Sequence, residues 1–269
     1  MQRTLIRLYT LLPLWLLYGV MSLVIPFYII FDGKGRLSSW RFFRKRMGYG
    51  PLRSAVHVYL NMFNMGMVVL DRFAAYSGKK FRVELEDCGI YPVYCSGKEG
   101  FVILSSHIGN YEMAGYTLIS PKRMNVLVYA GETATVMANR QRMFESDNVT
   151  MVPVSQDMSH IFKLNHALSQ GEIASIPADR VFGSSKVQRC RFFGADASFP
   201  AGPFTLAHSR EINSLAVFCI KTGLKSYKVI MRPVSGNSVQ SLAQAFAKEV
   251  ESVVRRWPDQ WYNFYDFWA

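Results

Sequence analysis

Apolar residues run from Leu8 to Phe31, 24 positions without a charged side chain. At 1.5 Å per residue this run is long enough to cross a hydrocarbon core. Pro13 and Pro26 each remove a backbone donor, so the segment either spans with a kink or lies along the interface. Its end, Ile29-Ile30-Phe31-Asp32-Gly33, lacks the small residues of a signal-peptide cleavage site. After the break at Gly48-Tyr49-Gly50-Pro51, a helical pattern rich in Val, Met and Leu covers 54–76. From Phe81 onward the period changes. Short β-rich runs at 81–86, 101–106, 126–130, 150–154, 173–178, 213–220 and 226–232 alternate with helical patterns at 110–119, 132–146, 156–170, 202–209 and 238–256. Such alternation predicts an α/β fold, a mostly parallel central sheet covered by helices. The organisation it implies is one domain, 54–269, behind an N-terminal membrane anchor and basic juxtamembrane segment, 1–53. In sheets of this kind chemistry gathers at the carboxyl ends of the strands.

Composition narrows the class. Half of the 269 residues are apolar and 19% are charged, which excludes a disordered chain. The net charge of +12 raises nucleic-acid binding, but the excess is lopsided. Nine Lys/Arg and one acid precede Ser54, leaving a nearly balanced 22 against 18 in the body. Lys34, Arg36, Arg41, Arg44, Lys45 and Arg46 alternate with Trp40, Phe42, Phe43 and Tyr49, a pattern suited to an anionic membrane surface with the body on the cytoplasmic side. Nucleic acid is therefore not an expected partner. The four cysteines lack metal-ligand spacing and are read as free thiols, and no Gly-rich phosphate loop or G-x-S-x-G elbow is present. Neither a metal nor a cofactor is implied.

The informative stretch runs from Phe101 to Glu112, a buried strand followed by Ser105-Ser106-His107-Ile108-Gly109-Asn110-Tyr111-Glu112. One continuous helix cannot bring side chains five apart together. With His107 on the turn after the strand and Asn110 capping the next helix, Glu112 falls in the first helical turn, where an acid is favoured. From there the expectation is that its carboxylate folds back on the imidazole and fixes its tautomer, leaving the other nitrogen to take a proton from a hydroxyl or amine. A structural hydrogen bond is the plainer alternative. Asp179 ends the buried run 173–178 and is read as a site residue paired with Arg180 or a nearby base, or as a loop-tightening Asp. His57, His160, His166 and His208 have no acid at a matching spacing and are read as structural or surface residues. Lys186, Arg189 and Arg191 form a basic cluster suited to an acidic carrier protein or lipid phosphates, or a solvated loop.

The strand followed by His107-x-x-x-x-Glu112 resembles the H-x-x-x-x-[DE] block of the lysophospholipid acyltransferase superfamily, specifically the bacterial lipid A late acyltransferases and their phosphatidylinositol-mannoside relatives. Later blocks agree in order and spacing: Ile176-Pro177-Ala178-Asp179-Arg180, Phe192-Phe193-Gly194, Phe199-Pro200-Ala201-Gly202-Pro203 and Pro258-Asp259-Gln260-Trp261. The resemblance implies a membrane enzyme of the bacterial inner membrane, with its catalytic domain on the cytoplasmic face. It would move a fatty acyl chain from a thioester, acyl carrier protein or acyl-CoA, to a hydroxyl of a glycolipid such as a lipid A precursor. His107 would be general base and Glu112 its orienting partner. Asn110, Arg140, Arg142, Asp179, Arg180, Phe193 and Gly202 would surround the substrates. Arg140 and Arg142 would stabilise the oxyanion or be exposed helix charge, and Phe192, Phe193 and Phe199 would wall an acyl channel or be core. Gly202 would let the backbone approach a ligand. The C-terminal segment lacks the basic residues expected of proteobacterial lipid A enzymes. N-acylation of an aminolipid, or a lipid-binding role without turnover, therefore stands as an alternative.

Overall fold

In the computed structural model of the chain, which describes residues 12–118, 120–128, 148–155, 157–181 and 186–268, the alternating pattern becomes layers. Helix α1 (Leu14–Phe31) begins just after Pro13, where a missing N–H costs nothing, and carries Pro26 inside it. Next come α2 (Gly33–Arg41), a π-helical turn (Phe42–Arg46) and α3 (Pro51–Tyr76). Beyond them are strand β1 (Arg82–Glu86), α4 (Ile90–Ser96), β2 (Phe101–Gly109), α5 (Tyr111–Thr117), β3 (Met124–Val128), β4 (Val149–Pro153), α6 (Ser159–Ser169) and β5 (Ile173–Pro177). A hairpin of β6 (Val187–Phe192) and β7 (Ala195–Pro200) leads to α7 (Ala201–Ser209), β8 (Ser214–Gly223), β9 (Ser226–Val234), α8 (Val239–Arg256) and a 3₁₀ turn (Pro258–Gln260). The expected helix at 132–146, with Arg140 and Arg142, lies outside the described residues.

Seven strands form one sheet in the order β1-β9-β8-β2-β5-β3-β4, parallel except at the β8–β9 hairpin. The fold is α/β with a mostly parallel central sheet. Both faces are covered, which is why the central strands read as continuous apolar runs. Along β2, Phe101 and Ile103 join Leu215, Val217 and Cys219 on one face, whereas Val102 and Leu104 join Ala216, Phe218 and Ile220 on the other. Helices α6, α7 and α8 cover that second face through Leu164, Phe204 and Phe246. The β6–β7 pair turns at Phe193-Gly194, both with positive φ, as a two-residue hairpin requires. Phe192, Phe193 and Phe199 are all buried and pack with Trp261 and Trp268 into an aromatic cluster, so their place is core.

Helix α1 is amphipathic by context more than by composition. Leu14, Tyr18 and Ile25 are buried, with Leu14 and Tyr18 packing against Leu70 and Ala74 of α3, and Gly66 lets Met21 approach closely. The opposite side exposes Trp15, Val20, Leu23, Val24, Phe27, Ile30 and Phe31. The helix is long and apolar enough to cross a membrane.

Candidate active site

Parallel neighbours β2 and β5 end side by side, so the residues after their last ladder positions meet. Gly109 makes the exit from β2 workable. Its φ is +62°, and a Cβ there would stand 2.0 Å from the Cys219 carbonyl oxygen, so only glycine fits. Asn110 then caps α5, its side chain accepting from the Met113 N–H at 3.3 Å, and Glu112 falls in the first turn as expected.

The partner of His107 differs from the expectation. Asp179, directly beyond β5, takes both available donors of His107. Its Oδ1 lies 2.8 Å from Nδ1, and its Oδ2 accepts the His107 backbone N–H at 2.7 Å. The Asp179 side chain is 3% exposed and that of His107 27%, so the carboxylate is sealed while the imidazole reaches the surface. Burial alone would raise the Asp179 carboxyl. The imidazole charge, its hydrogen bonds and Arg180 outweigh this and hold the carboxyl below the ordinary carboxylate range.

Glu112 faces elsewhere. Its Oε1 lies 3.1 Å from Arg72 Nη2 and its Oε2 accepts from the Tyr76 hydroxyl at 3.3 Å, both on α3. The helical direction of α5 carries a first-turn side chain toward α3, whereas the carboxyl end of β5 lies beside β2. Proximity in sequence therefore misleads, and proximity in the sheet decides.

Arg180 donates from Nη2 to the Tyr262 carbonyl at 3.2 Å and lies over the Tyr265 ring at 5.0 Å, so it braces the C-terminal segment instead of pairing with Asp179. That segment completes the site. Tyr262 donates its N–H to the His107 carbonyl at 3.0 Å, Ile108 bridges to Trp261, and Gln260 clamps the Lys221 backbone with two 2.9 Å bonds. Gly202 is exposed in the first turn of α7, with open space where a Cβ would stand. Phe193 is held in the aromatic cluster, with Arg255 over its ring. His57, which had no acid nearby in sequence, pairs with Asp259 at 2.5 Å across 202 positions. All four cysteines are free thiols, and burial pushes Cys190 up to about 11 and Cys219 further still, so neither supplies a thiolate nucleophile at neutral pH.

Arg72, Tyr76 and the Tyr262 backbone carry no mark in the sequence, since no local spacing singles them out. For Asp179 the signal was present: two buried runs each end in a chemically active residue, and parallel pairing would place those ends together.

The sequence profile of the family described as bacterial lipid A biosynthesis acyltransferase matches residues 62–269. No curated protein matches the chain.

Proposed function

From the chain's membership of the bacterial lipid A biosynthesis acyltransferase family, we propose that it transfers a fatty acyl group from acyl carrier protein, or acyl-CoA, to a hydroxyl of a membrane glycolipid, with His107 as general base. The family makes the protein an acyltransferase of lipid A synthesis. The donor and the roles of the side chains are the proposal.

The observation that carries the mechanism is the two-point grip of Asp179 on His107. With the Asp179 carboxylate on Nδ1, that nitrogen holds the proton and Nε2 presents its lone pair. An acceptor hydroxyl placed at Nε2 gives up its proton as its oxygen attacks the thioester carbonyl. The new C–O bond forms, the C–S bond breaks, and the proton on Nε2 goes to the departing thiolate. No acyl-enzyme is needed. Asp179 acts through His107 and is a positioning residue. Glu112 is a second one, fixing the start of α5 against α3 through Arg72 and Tyr76. Arg140 and Arg142 are proposed as cationic donors near the oxyanion, on the resemblance of their segment alone.

Seating at the membrane is supported by the exposed apolar side of α1 and the cations after it. Residues 1–53 would hold domain 54–269 on the cytoplasmic face of the inner membrane.

The test is transfer of a labelled acyl chain from acyl carrier protein to a lipid A precursor by the purified full chain, with His107→Ala alongside. A product carrying one additional ester-linked chain, absent with His107→Ala, is expected. Transfer undiminished in that variant would refute the assignment of the base.

A further inference from the structure

Between the juxtamembrane segment and the C-terminal tail lies a pocket of about 210 Å³. The fold builds it from the end of α2 and the π-helical turn. Phe42 and Phe43 of the turn are buried, which turns Arg44 and Lys45 outward, and Arg41 and Lys45, four apart, share one side. Arg41, Lys45 and Arg46 line the pocket, opposed among the described residues by the carboxylate of Asp266. That carboxylate meets Arg41 at 3.3 Å with both side chains half exposed, so water screens the pair. Lys45 has no ion-pair partner among the described residues. Arg46 lies 4.6 Å over the Trp268 ring, which fixes its guanidinium at the pocket. The excess of positive charge suits a phosphate.

The pocket sits between the two parts of the molecule that a lipid acceptor must touch. On one side, α2 continues directly from the apolar α1. On the other, Tyr265 lines the pocket and carries Arg180 on its ring at 5.0 Å, and the adjacent residue, Asp179, holds His107. We propose that this pocket receives a phosphate group on the headgroup of the acceptor lipid, held by Arg41, Lys45 and Arg46. The assignment rests on the acyltransfer reading above and adds where the acceptor is gripped.

The test is steady-state kinetics of the full chain in neutral detergent micelles, where no anionic bilayer contributes attraction. The wild type and Arg41→Ala/Lys45→Ala are compared on a phosphorylated glycolipid acceptor and on the same lipid after phosphatase treatment. Both substituted side chains are exposed, and an unchanged melting temperature verifies that the variant folds. The expected result is a KM for the phosphorylated acceptor raised about tenfold or more, two charge-assisted contacts being lost, with kcat held within about twofold. The dephosphorylated acceptor should be used equally poorly by both proteins. An unchanged KM, or an equal loss on both acceptors, overturns the pocket. So does a rise confined to the KM for the thioester donor, which would give the cations to the phosphodiester of a pantetheine arm. A wild type that acylates neither lipid overturns the acyltransfer reading itself and the assignment with it.

Discussion

Replacing Asp179 by Asn keeps the shape of the side chain but removes the charge that holds the Nδ1 proton of His107. The expected cost is about 10²–10⁴-fold in kcat with little change in KM, because orientation of a base is felt in the transition state. Asp179→Glu should recover part of this where Asn does not, a rescue that a merely structural role would not produce. The same carboxylate gives a pH prediction. Its folded value lies below the ordinary one, so its contribution to stability is complete above about pH 4, the range where a free Asp ionises, and is lost as pH falls through the depressed value. Melting curves between pH 6 and pH 2.5 should therefore show the gap between wild type and Asp179→Asn narrowing toward acid. Much of this residue-scale picture was legible in the sequence. His107, the cap at Asn110 and the place of Asp179 at a strand end all come from the alternation of buried runs and breaks. The pairing was legible only as Asp179 meeting Arg180 or a nearby base, because a five-residue spacing is visible along the chain and the lateral register of strands is not.

At the scale of elements, α1, α3, β8 and β9 are tied by one buried polar cluster. Asp71 of α3 is fully buried and accepts from Lys221 Nζ at 2.6 Å and from the hydroxyls of Tyr18 and Tyr227, while Asn110 of the site donates to the Tyr227 hydroxyl at 3.4 Å. Burial drives the Lys221 ammonium below its ordinary value, and Asp71 works against that loss. Lys221→Met should leave a buried carboxylate without its counter-charge, at a cost of about 3–5 kcal/mol in unfolding experiments. Adding Asp71→Asn should return part of that loss, since both charges are then gone. No pattern in the sequence announces this cluster, because its hydrogen-bonded partners lie up to 156 positions apart. Boundaries of the strands and of α3, α7 and α8 were legible to within a few residues for the opposite reason, since hydrophobic period and turn residues are local. The β6–β7 hairpin and the short α2 and α4 were not, the first because Gln188, Arg189 and Arg191 give a short polar run that resembles a loop.

For the whole molecule, the lopsided charge and the uncharged run foretold one apolar helix leading into a basic segment. The structure adds that α1 packs along α3, so the apolar helix and the body share a packed surface. Reversing the charge of exposed Lys34 and Arg44 should weaken cosedimentation with phosphatidylglycerol vesicles. Each lost cation is worth about 1 kcal/mol, and phosphatidylcholine vesicles should show little difference.

The central claim is that His107 and Asp179 operate as one proton-accepting unit. Its most direct measurement is the kcat for acyl transfer in a cycle of His107→Ala, Asp179→Asn and the double variant. If the pair acts as a unit, the double variant is no slower than His107→Ala alone, because Asp179 has nothing left to orient. A double variant slower by the full product of the two single losses would contradict the account, as would an Asp179→Asn protein that turns over at the wild-type rate.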